Sequence, residues 1–162
     1  MELNNNIKNN LLMGGFHRIV RDFNSYSKLE DFHYGIDVTG NPDINGGYDH
    51  IVAFADGVVV AVKNNFTGFT KSTGLASMGN YVVIDHGNGY VTRYMHLTKG
   101  SIRVKKGQKV SAGEVIGYMG STGNTPDGIE NRRLHFDISV EGKFVDPKPF
   151  LYGTRKILSN EL

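Results

Sequence analysis

The sequence contains no cysteine and no tryptophan, and only four of its 162 residues are proline. Without cysteine there is neither a disulfide framework nor a thiolate metal site, so any bound metal must use histidine and carboxylate. Missing tryptophan removes one common platform for sugars. No apolar run approaches the roughly 20 residues of a membrane-spanning helix, so no membrane partner is expected. The first ten residues, Met1 to Asn10, lack the basic-then-apolar layout of a secretory signal. The chain is therefore expected either to leave the cell by another route or to be a domain excised from something larger. Charge of one sign is also scarce: 18 basic against 16 acidic residues leave a net +2, too little to point to nucleic acid.

What is present is glycine, at 21 positions, and tyrosine, at 8, with 39% hydrophobic and 21% charged residues. That balance fits a glycine-punctuated, mainly all-β protein of one domain, large enough to bury a core. The expected division is an asparagine-rich arm at 1–13, a domain at 14–152 and a polar tail at 153–162. A monomer, or one domain of a larger protein, is the default assembly.

The chain is organised around His33-Tyr34-Gly35-Ile36-Asp37 and Leu134-His135-Phe136-Asp137. His33, Asp37 and His135 are read as ligands of one Zn2+, because two imidazoles and a carboxylate leave the fourth tetrahedral position to a water that the metal acidifies. Two residues four apart on a straight strand are separated by roughly 13 Å, at about 3.3 Å per residue. The chain is thus expected to bend between His33 and Asp37, with Gly35 supplying dihedrals closed to its neighbours. By itself a His-x-x-x-Asp pair is a weak signal, since in most sequences it is a surface histidine near an unrelated aspartate.

Along the chain, 14–30 reads as irregular, with His17 and Arg18 on a solvated loop, and 39–49 as a turn-rich connection. Residues 51–54 and 57–63 are β-branched runs separated by a hairpin-like Ala55-Asp56-Gly57. The loop at 67–79 is long enough to wall a groove. Strands at 81–85 and 90–96 flank Asn88-Gly89, the favoured two-residue hairpin turn. The period of two places Tyr90, Thr92, Tyr94 and His96 on one face, with His86 exposed at the turn and His50 opening a strand. Residues 102–120 form short strands with glycine turns, and 121–132 a second long loop. In 134–140, Leu134, Phe136, Ile138 and Val140 alternate inward, leaving Arg133, His135, Asp137 and Ser139 on the other face. No helix of useful length is expected.

These motifs resemble the lysostaphin-type (LytM-like) zinc endopeptidases that cut bacterial peptidoglycan. The resemblance runs over about 32–151 and includes Ala55 to Val59, Gly79 to Gly89, Thr92 to Leu97, Gly120 to Gly123 and Val145 to Pro147. It implies an antiparallel β-sheet with long loops walling a narrow groove, related to the barrel-sandwich hybrid, and zinc on the residues matching His33, Asp37 and His135. It further implies that His96 orients or deprotonates the attacking water. The family usually has His-x-His at the second metal motif, where this chain has Arg133-Leu134-His135. Arginine cannot act as a base, but it can donate hydrogen bonds to a developing oxyanion. The implied partner is a peptidoglycan peptide, and the implied location is extracellular or at the cell wall, with a phage or virion-borne lysin as one source.

Two other readings bear on the same residues. A catalytically degenerate module could use the groove to hold cell-wall peptide or a protein, and Arg133 is its motive. The rhythm of 104–117 is also similar to lipoyl- and biotin-carrier barrels. Those need a modifiable lysine beside methionine, whereas Met95 is followed by His96 and Met119 by Gly120.

Overall fold

The computed structural model describes residues 6–7, 17–24, 34–40, 50–71, 74–125 and 132–157. Its strands are β1 (Asn6–Ile7), β2 (His17–Arg21), β3 (Ile36–Gly40), β4 (His50–Val52), β5 (Gly57–Lys63), β6 (Asn80–Gly87), β7 (Tyr90–Leu97), β8 (Lys109–Val110), β9 (Val115–Tyr118), β10 (Leu134–Val140) and β11 (Lys143–Val145). The one α-helix among the described residues, α1 (Lys148–Leu151), is a single turn entered from Pro147. The protein is thus mainly antiparallel β-sheet, as its composition predicts.

Nine strands form the main sheet in the order β1-β2-β3-β10-β7-β6-β5-β8, with β11 also pairing β10. Strand β10 is the hub. β7 lies along one of its edges, while the other is shared: β3 pairs Leu134 to Phe136 and β11 pairs Ile138 to Val140. The β6–β7 hairpin closes on Asn88 and Gly89 at φ 52° and 84°, the two positive values that an Asn-Gly turn of this type requires. Apolar residues at alternate positions of β3, β7 and β10 build the core, in which Phe136 packs 5.3 Å from the Tyr94 ring and 5.7 Å from Phe54.

Three local expectations are corrected. Residues 17–21 form β2 against β3, because their backbone groups find partners in 37–40 that a local pattern does not reveal. The break at 55–57 does not turn a hairpin: β4 pairs β9 in a separate two-stranded sheet, with His50 opposite Tyr118. Ile51, Val52 and Ala53 are consecutively buried, so this segment has no solvent face and passes from one sheet to the other. His86 is buried, because β6 continues to Gly87 and the alternation that buries Asn80, Val82 and Ile84 carries on to it.

Candidate active site

Register places Asp37 of β3 directly opposite His135 of β10. Directly opposed side chains on antiparallel strands have Cβ atoms about 4.5–5.5 Å apart and interact. Here Asp37 Oδ1 lies 3.1 Å from His135 Nδ1. His33, the third expected ligand, lies outside the described residues. Gly35 has a different role from the one expected. It does not take a positive φ; instead a Cβ there would sit 2.5 Å from the Phe136 carbonyl oxygen and 2.9 Å from His135 Nε2. Close approach of the chain to β10 is what excludes a side chain.

The other ring nitrogen, His135 Nε2, lies 3.0 Å from Asp137 Oδ2. Asp137 is fully buried and takes a two-pronged contact from Arg93, at 2.8 Å from Nε and 2.7 Å from Nη2. Burial opposes charge on His135, but hydrogen bonds and charges from Asp137 and Asp37 outweigh it and push its pKa up to about 9. Burial likewise opposes the charge on Asp137, and hydrogen bonds from His135 and Arg93 hold that carboxyl below its usual range.

His96 reaches the site by a route that the period of two does not predict. Tyr90, Thr92 and Tyr94 do face the core, but His96 takes φ 67°, in the left-handed region, and leaves their face. Non-glycine residues seldom adopt that region, and such outliers cluster at active sites. The His96 ring stands edge-on to that of His135, with centroids 6.3 Å apart. Its Nδ1 lies 2.7 Å from the Thr122 carbonyl oxygen, a group that only accepts, so Nδ1 carries the proton and Nε2 is the basic nitrogen. Burial and the neighbouring His135 push His96 down to about 4, which keeps it neutral at pH 7. Thr122 is itself fixed, its hydroxyl donating to the Leu97 carbonyl at 2.7 Å.

Arg133 pairs with Gly120 in an isolated bridge, and its Nη1 lies 3.8 Å from Asp37 Oδ2. It therefore stands beside the carboxylate, on the His135 side, as alternation predicts. The loop at 67–79 is stitched to 122–124: Thr70 N–H donates to the Gly123 carbonyl, Gly123 N–H to Gly68, and Asn124 N–H to Ser77. Phe69 and Leu75 stay exposed on it. His50 belongs elsewhere, edge-on to Tyr118 in the second sheet.

The chemistry of the donors fits a metal. Ligand atoms on one tetrahedral zinc lie roughly 3.3 Å apart when each bond is about 2 Å, close to the 3.1 Å between Asp37 Oδ1 and His135 Nδ1. The structure thus brings two of the three expected donors together, and among the described residues no group of three such side chains forms a metal site. Asp137 has a sequence signal, since it shares a strand face with His135, but Arg93 becomes its partner only through the β7–β10 register.

Residues 31–147 match the model of peptidase family M23, and the chain belongs to that family. The peptidoglycan DD-endopeptidase ShyA of Vibrio cholerae is 46% identical over 91 residues, which cover 56% of this chain and 17% of that protein. The murein hydrolase activator NlpD of Escherichia coli is 33% identical over 127 residues, covering 78% of this chain and 28% of that protein. The chain thus spans under a third of the length of either relative. Among solved structures, the catalytic domain of the antimicrobial peptidase lysostaphin from Staphylococcus simulans superposes with a TM-score of 0.63 at 26% identity, covering 84% of this chain and 92% of that one. A zinc containing peptidase from Vibrio cholerae gives 0.62 at 26% identity, covering 91% and 40%.

Proposed function

We propose that this protein is a zinc metalloendopeptidase that hydrolyses a peptide bond in bacterial peptidoglycan, with His33, Asp37 and His135 as ligands and His96 and Arg133 as catalytic groups. The observation that carries the reading is the meeting of Asp37 and His135 across β3 and β10, with a neutral histidine edge-on beside them. Zinc bound there supplies a Lewis acid that acidifies a water and polarises the scissile carbonyl. His96, with its Nδ1–H given to the Thr122 carbonyl, accepts the water's proton at Nε2 and can pass it to the leaving amine. The Arg133 guanidinium donates to the carbonyl oxygen as negative charge develops. Peptidoglycan as substrate is supported by the relative named a peptidoglycan DD-endopeptidase, and such a substrate puts the working enzyme outside the cytoplasmic membrane.

A second reading, a module that holds cell-wall peptide or another hydrolase without cutting, is favoured by Arg133 and by the relatives named murein hydrolase activators. It ranks below the first because a binding module has no chemical need for a neutral, left-handed His96 beside the two donors. Mass spectrometry of fragments released from purified peptidoglycan of several cross-link types separates the two. The endopeptidase reading predicts new amine and carboxylate ends that vanish on chelation and return with zinc. No release from any wall type by folded, zinc-supplied protein would leave the binding module.

A further inference from the structure

We infer that Asp137, locked by Arg93, is a positioning residue that fixes the proton of His135 on Nε2 and so reserves Nδ1 for the metal, an inference that rests on reading His135 as a ligand. The imidazole lies between two carboxylates, with Nδ1 3.1 Å from Asp37 and Nε2 3.0 Å from Asp137. As a metal ligand the imidazole gives up one of its two protons and keeps a single N–H, so one nitrogen presents a lone pair toward an anionic oxygen. That arrangement is repulsive unless a cation shares the space. The question is which carboxylate receives the N–H.

Four features single out Asp137. Both of its oxygens are held by the Arg93 fork, which sets the plane of the carboxylate and keeps it ionised although wholly buried. Register makes that pairing obligatory, since Arg93 of β7 stands directly opposite Asp137 of β10. Arg93 is backed by Phe144 of β11, its guanidinium carbon 4.8 Å from the ring centroid, and Tyr34 packs on the same ring at 5.1 Å. Finally, the missing side chain of Gly35 leaves room for the contact: a Cβ there would lie 2.8 Å from Asp137 Cβ and 2.9 Å from His135 Nε2.

Asp37 has Arg133 Nη1 at 3.8 Å from its Oδ2. Its carboxylate can turn its charge toward a metal, while that of Asp137 is already spent on Arg93. Carboxylate partners of this kind fix the tautomer of a metal-bound histidine and raise its basicity, and their loss weakens metal binding by about 10–100-fold.

The test has two parts, both on the full chain with Zn2+ as the probe. Nitrogen-15 spectra of the zinc-loaded native protein should show His135 protonated at Nε2 and metal-bound at Nδ1; the opposite assignment overturns the inference. Competition with a chromophoric chelator should show Asp137→Asn and Arg93→Met each binding zinc about 10–100-fold more weakly than the native protein. The Asp137→Asn spectrum should also show a changed His135 tautomer balance, which a merely structural role would not produce. Equal affinity and an unchanged tautomer in both variants sink the positioning role and leave the ligand reading standing. A native protein that takes up no zinc overturns that reading and the inference with it.

Discussion

Asp37 and His135 stand directly opposite each other on β3 and β10, and their side chains meet at 3.1 Å although 98 residues separate them in the chain. The antiparallel pairing makes this contact, so the donor pair is built into the sheet itself. Neighbouring β7 adds Arg93 from its middle and His96 from its end. Three adjacent strands thus supply Asp37, Arg93, His96, His135 and Asp137, while Thr122 and Arg133 lie outside them.

His96 should be separable from metal binding. His96→Asn is the better variant than alanine, because asparagine tolerates the left-handed backbone found at φ 67°. Turnover on peptidoglycan should fall by about 10²–10⁴-fold, the usual contribution of a positioned acid-base group. Zinc content, measured by elemental analysis, should stay at the native level. Unchanged turnover would mean that another group takes the proton.

Arg133 should be replaceable by the histidine that the resemblance implies at this position. Arg133→His keeps a hydrogen-bond donor beside Asp37 and should retain or raise hydrolysis. Arg133→Ala removes the donor and should lower kcat by about 10²–10³-fold, in the range for one oxyanion contact. A full rate in the alanine variant would remove Arg133 from the chemistry, and a collapse in Arg133→His without unfolding would give the arginine an indispensable role of its own.

His86 should make stability pH-dependent on the acid side. Its Nδ1–H donates to the Asp56 carbonyl at 2.7 Å, Nε2 accepts from the Thr92 hydroxyl at 2.7 Å, and Thr92 in turn bonds the buried Tyr94 hydroxyl at 2.9 Å. Burial lowers its pKa, against the raising effects of the Asp56 carbonyl and of the Asp85 and Asp56 charges. Below about pH 6.5 the unfolded chain takes up a proton that the folded ring resists, so stability contributed by neutral His86 is present above that pH and is lost as pH falls. His86→Gln should be destabilised by about 1–3 kcal/mol at pH 8 through broken buried hydrogen bonds. Thermal unfolding at successive pH values should show that deficit narrowing toward pH 5; a constant deficit contradicts the account.

Much of this was legible in the sequence where the signal is local. Asn88-Gly89 announces its hairpin, and the alternation of 134–140 sorts Phe136 inward and His135 outward. The candidate donors Asp37 and His135 are also identifiable by residue type. Less legible were features set by distant pairing: β2 lies in an irregular stretch, and β4 joins β9 instead of its neighbour β5. His86 and His96 misled at strand ends: β6 runs on to Gly87, so its alternation carries His86 inward, and a positive φ takes His96 off the Tyr94 face. Gly35 was the right residue for a different cause, since close approach to β10 and not backbone freedom demands it.

The most direct measurement is zinc stoichiometry by elemental analysis of the folded native protein and of His33→Ala, Asp37→Ala and His135→Ala. The account predicts about one zinc per chain in the native protein, as a three-ligand catalytic site requires, and a clear loss in each variant. Full occupancy in all three variants, or none in the native protein, would contradict it.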